Sequence, residues 1–184
     1  MNLPYFLHQR VQQRICTLDF LMMHKAHQWS APQWVRLWML SATRGGDGWL
    51  WYAMGMWVVL FGGDSKWQTL GSMATSISVG MALFIWLKKA TGRKRPCHIQ
   101  PHCWSTLLPP DQFSFPSGHT ITAFAAIVPI SYFHPGLFLG LLFCALSVAL
   151  SRILLGMHFF SDVVAGGLIG GLLGWASVLA WEVT

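Results

Sequence analysis

Charge is what this sequence has least of. Only 10% of its 184 residues are Asp, Glu, Lys or Arg, against roughly 25% in a soluble domain. So thin a charged complement cannot cover a water-soluble protein of this size, and with 54% hydrophobic residues it also excludes disorder and collagen-like structure. Four cysteines, Cys16, Cys97, Cys103 and Cys144, are too few and too scattered for a disulfide scaffold. The start, MNLPYFLHQRVQQR, lacks a continuous apolar segment and a small-residue cleavage site, so targeting is expected to come from the apolar stretches themselves. Acidic residues number six against twelve Lys and Arg, a net charge of +6. Basic residues beside apolar spans meet lipid headgroups or phosphorylated substrates more readily than nucleic acid.

What is present in quantity is uncharged apolar sequence. A helix crosses about 30 Å of hydrocarbon with about 20 residues, and five stretches come near that length. They are residues 48–63, residues 67–87, two spans within 117–151 separated at Tyr132-Phe133-His134-Pro135-Gly136, and residues 163–181. The pattern predicts an all-α, polytopic transmembrane bundle of five spans, with a sixth hidden in the N-terminal region as the alternative. Trp49, Trp67, Trp86, Trp175 and Trp181 fall at span ends, where indole rings anchor between headgroup and hydrocarbon. Gly166, Gly167, Gly170, Gly171 and Gly174 would let another helix approach the last span closely. Residues 4–43 mix Arg10, Arg14, Lys25 and Arg36 with apolar residues and suit short helices lying on the bilayer. The expected organisation is an interfacial region, 1–47, and a membrane-embedded core, 48–184, with active-site loops at 88–119 and 151–162.

Three polar clusters fall on one face of this arrangement. Lys88 to Pro96 (KKATGRKRP) follows a span directly and, taken alone, is an ordinary basic collar. Phe115 to Thr120 (FPSGHT) opens the third span. Serine is a favoured helix N-cap, glycine admits a ligand to the backbone, and free N–H groups at a helix start attract anions; His119 adds a proton donor at the same point. Ser151 to Asp162 (SRILLGMHFFSD) joins the last two spans. If residues 158–162 are helical, His158 and Asp162 share a face, so the carboxylate can orient the imidazole and leave its other nitrogen as a nucleophile. Ionisable residues at a membrane boundary are costly and usually functional. Together the clusters supply cations, amides and two histidines, enough for phosphoryl transfer without a metal. No Walker A loop, zinc ladder or acidic metal pair competes with them. Only Asp111 and Asp162 among the acids lie near the clusters in sequence.

The residues Lys88 through Arg95-Pro96 match K-x6-RP, Pro116-Ser117-Gly118-His119 is PSGH, and Ser151-Arg152 through His158 to Asp162 is similar to SR-x5-H-x3-D. In this order they resemble the signatures of the type 2 phosphatidic acid phosphatase superfamily, over about residues 48–181. Many bacterial members have six spans, where five are read here. The resemblance implies a helical bundle acting on lipid phosphate or pyrophosphate esters, with no cofactor and no metal. It implies His158 as nucleophile, Asp162 as its orienting partner and His119 as general acid. Lys88, Arg95, Ser117, the Gly118 amide and Arg152 would bind the phosphoryl group, Ser151 and Pro96 would be structural, and Lys89, Arg93 and Lys94 would attract headgroups.

Three other readings compete. Vanadium haloperoxidases share the motifs but are soluble. A phosphotransferase would pass the phosphoryl group to another acceptor, and a non-catalytic lipid-binding protein would not need His158. Cys97-His98 and His102-Cys103 fit zinc spacing poorly; Cys97 and Cys103 are expected to pair if their face is extracytoplasmic. All Lys and Arg except Lys66 fall on the active-site face, which the positive-inside rule would place in the cytoplasm. Bacterial relatives commonly act on the outer side, and the expectation is a bacterial inner-membrane protein working on the periplasmic face, its partners being a lipid phosphate and the bilayer.

Overall fold

The structure, a computed structural model, describes residues 3–99 and 111–182. All five apolar stretches are helical. They correspond to α3 (Leu50–Phe61), α4 (Lys66–Thr91), α6 (Gly118–Phe133), α7 (Phe138–Leu154) and α8 (Phe160–Glu182). The segments containing α4, α7 and α8 are long and apolar enough to cross a bilayer, while α6, at 16 residues, is a shorter apolar helix. Before them come α1 (Leu3–Gln28) and α2 (Gln33–Arg44). Helix α1 is one continuous element of 26 residues rather than several short ones. Between α2 and α3 runs a π-helical turn, Gly45–Trp49; α5 (Pro96–Ile99) is a single turn after α4. The expected break between the third and fourth spans is present, with a 3₁₀ turn at Pro135–Leu137.

Helices α4, α6 and α8 pack on one another most extensively. Their close approach depends on glycine. A Cβ on Gly166 would lie 2.8 Å from the Ser117 carbonyl oxygen, and one on Gly170 would lie 2.3 Å from that of Ile121. On Gly174 it would meet Val128 at 2.8 Å. Gly171 faces open space and Gly167 makes only ordinary contact with Phe124. The helical period therefore sorts the five glycines: those at i, i+4 and i+8 meet α6, and their neighbours turn away. Without the hydrophobic effect to bring helices together in lipid, this backbone proximity and its dispersion energy hold α8 to α6.

The apolar interior comprises Trp51, Met73, Ala123, Ala126, Ile127, Ile130, Leu141, Ala145 and Val148, from α3, α4, α6 and α7. A second cluster packs Val35 and Met39 of α2 on Leu155 and Met157 beyond α7. That contact brings the N-terminal region against the 151–162 connection. Outside, Trp49, Trp67, Trp86, Trp175 and Trp181 are exposed, as anchoring requires, though the Trp181 ring also lies against Gly71 and its Nε1 donates to Thr75 Oγ1.

Replacing Gly170 with alanine drives a methyl group into the α6 backbone, while Gly171→Ala meets nothing. The first should lower stability in detergent by about 1–3 kcal/mol and the second should be neutral or stabilising. Equal thermal shifts for the two variants would contradict this packing.

Candidate active site

Each of the three sequence clusters is shaped by a local backbone device. Helix α4 stops at Gly92, whose φ of 57° is the left-handed conformation glycine adopts without a steric penalty. The chain then runs extended and pairs with residues 112–114: Arg95 N donates to Gln112 O at 3.2 Å, and Ser114 N to Arg93 O at 2.7 Å. Extended backbone alternates its side chains, so Arg93 and Arg95 turn inward together and Lys94 faces solvent. Arg93 is therefore not a headgroup cation, as its position in a basic run suggested. Its guanidinium donates to Asp162 Oδ1 and Asp19 Oδ2, both at 2.6 Å, and to Ser161 Oγ at 2.7 Å.

Past α7 the chain reverses at Gly156, with φ 68°. Gly156 N donates to Ile153 O and Met157 N to Arg152 O, each at 3.0 Å, the paired bonds of a Schellman motif. His158 N donates to the same Arg152 carbonyl at 3.0 Å. This reversal, rather than a continuous helix, fixes His158 relative to Arg152, since α8 begins only at Phe160. The expected His158–Asp162 hydrogen bond is accordingly absent: Nδ1 lies 3.8 Å from Asp162 Oδ2 and 2.6 Å from the Ser114 carbonyl oxygen. Asp162 Oδ2 accepts from Phe159 N at 2.8 Å instead, capping the start of α8 as an acidic residue in the first turn does.

A carbonyl oxygen only accepts, so His158 Nδ1 carries the proton and the neutral ring's lone pair sits on Nε2. Arg95 Nη1 donates to Nε2 at 3.0 Å. His158 is 3% exposed. Burial, reinforced by the charges of Arg152 and Arg95 and opposed by Asp162, pushes its pKa down to about 3. The imidazole is neutral at physiological pH.

Ser117 stands at the N-cap of α6 without a side-chain capping bond; its Oγ accepts from Thr120 Oγ1 at 2.9 Å, and its N–H donates to Asp162 O at 3.1 Å. The anion-attracting end of α6 is thus held by the chain of α8. His119 Nε2 lies 2.6 Å from Asp47 Oδ1. Asp47 belongs to the Gly45–Trp49 turn, where Gly48 has φ 128° and a Cβ on Gly46 would crowd Val148 and His119. Gly46 lets this turn press against α6 and α7, and Gly48 supplies the positive φ that the turn requires.

A cavity of about 390 Å³ opens here, lined by Lys88, Arg95, Gly118, His119, Arg152 and His158 together with Asp47 and Asp111. Tyr52, Ile77, Met81 and Phe84 form an apolar side. Of the eight expected site residues, six line this space; Ser117 and Asp162 are fully buried behind it. Arg152 is 4% exposed, and its guanidinium donates to Thr43 Oγ1 through Nη1, while Nε has no hydrogen-bond partner. Asp111 is ion-paired to both Lys88 and Arg95. Among the described residues no three His, Cys, Asp or Glu side chains form a group able to hold a metal ion. Cys97 is a free cysteine, so the expected Cys97–Cys103 pairing is not seen; Cys103 and His102 lie outside the described residues.

Sequence reasoning missed Asp19, Thr43 and Asp47, all from the N-terminal region. Sequence distance hid them, but one signal was available: Asp47 sits in GGDGW, a glycine-flanked acid in a chain with few acids.

A helical membrane bundle with a cation-rich, two-histidine cavity at one end defines the class of protein. The chain belongs to the PAP2 superfamily, which it matches over residues 67–183. It is 34% identical over 97 residues to a lipid A 1-phosphatase of Rhizobium etli, covering 50% of this chain and 40% of the relative. It is also 34% identical over 143 residues to the decaprenylphosphoryl-5-phosphoribose phosphatase of Mycobacterium tuberculosis, covering 74% and 77%. The chain spans about two fifths of the length of the lipid A 1-phosphatases it matches. In fold it is similar to the crystal structure of Aquifex aeolicus LpxE, with a TM-score of 0.74 at 23% identity over 87% of this chain and 94% of that one. A Bacillus subtilis PAP2-type phosphatidylglycerolphosphate phosphatase gives 0.70 at 23% identity, covering 92% and 86%.

Arg93→Ala would leave Asp19 and Asp162, each at most 1% exposed, without their cation. Removing one partner of a buried ion pair costs about 3–5 kcal/mol, so denaturation in detergent should show a loss of that order. A shift no larger than that of the exposed Lys94→Ala would assign Arg93 to the surface after all.

Proposed function

We propose that this chain hydrolyses a lipid phosphate or pyrophosphate monoester through a covalent phosphohistidine on His158. The observation that supports this reading is the convergence of an uncharged imidazole, its Nε2 lone pair held against Arg95, with Lys88, Arg152 and the start of α6 on one cavity that also has an apolar side. His158 Nε2 attacks phosphorus as the bond to the leaving oxygen breaks, and His119 gives that oxygen its proton. Water, losing a proton to His119, then cleaves the N–P bond and releases phosphate. Lys88, Arg95, Arg152 and the Gly118 amide balance the charge on the transferring oxygens. Ser117 supports them by holding the end of α6.

Asp47 takes a role in this scheme that the sequence motifs do not contain. Its carboxylate accepts from His119 Nε2, fixing the ring in the orientation a general acid needs. Asp162 acts on His158 across 3.8 Å as a charge, while the Ser114 carbonyl fixes the tautomer. Asp162→Asn therefore also removes one of the two counter-ions of Arg93 and is expected to cost stability along with rate.

The names of the relatives point to an amphiphilic substrate, such as lipid A phosphate, a decaprenylphosphoryl sugar phosphate or phosphatidylglycerol phosphate. Tyr52, Ile77, Met81 and Phe84 would meet its apolar part. The protein would sit in the bacterial inner membrane with the cavity facing the periplasm, several cations being retained for substrate rather than topology.

Phosphate release by the detergent-solubilised chain tests the reading. His158→Ala should lose about a thousandfold or more in kcat, and activity near that of the wild type would sink the assignment. Asp47→Asn and His119→Ala should lose about 10²–10⁴-fold on a lipid ester but much less on an activated aryl phosphate, whose leaving group needs no proton. Chelator should leave turnover intact, since cations and amides bear the transferring charge. With His158 at about 3, kcat/KM corrected for substrate ionisation should show no acid limb at the ordinary histidine value of about 6.5 attributable to the nucleophile.

A further inference from the structure

Asp111 lies outside every motif, yet it makes the most direct charge contacts in the cavity. Its Oδ2 pairs with Lys88 Nζ, and its Oδ1 accepts from Arg95 Nη2 and from Phe113 N, both at 3.0 Å. Arg95 Nε donates to the Asp111 carbonyl at 3.0 Å. The remaining guanidinium nitrogen, Nη1, donates to Met157 O at 2.9 Å and to His158 Nε2 at 3.0 Å. Every nitrogen of Arg95 is thereby engaged, and the lone pair of His158 is covered by a cation. Arg152, in contrast, keeps Nε without a partner.

We propose that Asp111 is an internal counter-ion occupying Lys88 and Arg95 in place of a phosphoryl group, and that anion binding proceeds by exchange with its carboxylate. The inference rests on the phosphoryl-site reading above. Two carboxylate oxygens bridging an ammonium and a guanidinium present the charge and geometry of two equatorial phosphate oxygens. A phosphoryl group that takes both cations must displace the carboxylate or suffer its repulsion. The Asp111 side chain is 30% exposed, so once released it can be solvated. As Arg95 turns to the phosphoryl oxygens, Nη1 leaves His158 Nε2 and uncovers its lone pair. Nucleophile exposure is then tied to occupancy of the site, and the same carboxylate, on returning, expels product phosphate.

The exchange has an experimental sign opposite to that of a scaffold role. If Asp111 only held Lys88 and Arg95 in position, removing its charge would weaken anion binding. As an exchanging counter-ion it competes with the anion, so Asp111→Asn should bind inorganic phosphate about tenfold more tightly. Equilibrium dialysis of radiolabelled phosphate against the full chain in detergent reads this without requiring turnover, and orthovanadate serves as a second probe. Asp111→Ala should follow Asp111→Asn, and Asp111→Glu, which keeps the charge, should stay near the wild-type affinity. Unchanged or weaker binding in a folded Asp111→Asn or Asp111→Ala protein, with folding checked by thermal scan, would overturn the proposal. Failure of the wild type to bind either anion would instead refute the phosphoryl-site reading itself.

Discussion

The structure depends on neutralising four cations gathered at one end of a helix bundle. Lys88, Arg93, Arg95 and Arg152 converge there, and in a poorly solvated region an unpaired ion costs several kcal/mol. The chain meets this with four of its six acidic residues, Asp19, Asp47, Asp111 and Asp162. They are not equivalent. Asp19 and Asp162 are buried and clamp Arg93, making a closed ionic unit that joins α1, the 93–95 arm and α8. Asp47 and Asp111 face the cavity, where an incoming anion can compete with them. Permanent pairing behind the wall and replaceable pairing in front of it let the site remain strongly cationic and still fold.

This division explains how far the sequence could be read. The apolar spans, the break before Pro135 and the three motifs are local patterns of composition and spacing, and the structure places Lys88, Arg95, His119, Arg152 and His158 around one cavity. What failed to show was everything set by tertiary pairing. Arg93 looks like Lys94 in a basic run; only the pairing of residues 93–95 with 112–114 gives them opposite directions. Asp162 stands four residues from His158, which suggests a helical pair, but Gly156 reverses the chain and delivers the His158 Nδ1 proton to Ser114. The N-terminal region reads as a surface helix and nevertheless supplies Asp19, Thr43 and Asp47 to the polar network, because α2 packs on the turn that follows α7.

Glycine works on both length scales. Gly166 and Gly170 let the backbones of α6 and α8 nearly touch, which sets Ser117 N within reach of the Asp162 carbonyl. That bond joins the PSGH segment to the segment bearing His158, two motifs separated by the 31 residues of the membrane hairpin, 120–150. Gly156 and Gly92, both at positive φ, end their helices just where the cationic residues must leave the helical path. A bulkier residue at any of these positions would be felt in the site without touching it.

The protonation pattern follows from the same architecture. A histidine facing a carboxylate at hydrogen-bonding distance would gain a proton more readily and lose its nucleophilic lone pair in the free state. Placing Asp162 at 3.8 Å and a neutral carbonyl at 2.6 Å keeps the tautomer fixed while leaving the ring uncharged. His119 faces a different acceptor, the Asp47 carboxylate at 2.6 Å, which fixes its ring from the N-terminal side. Two histidines in one cavity are thus oriented by acceptors of different kinds, a main-chain carbonyl for His158 and a carboxylate for His119, each brought in from a segment distant in sequence.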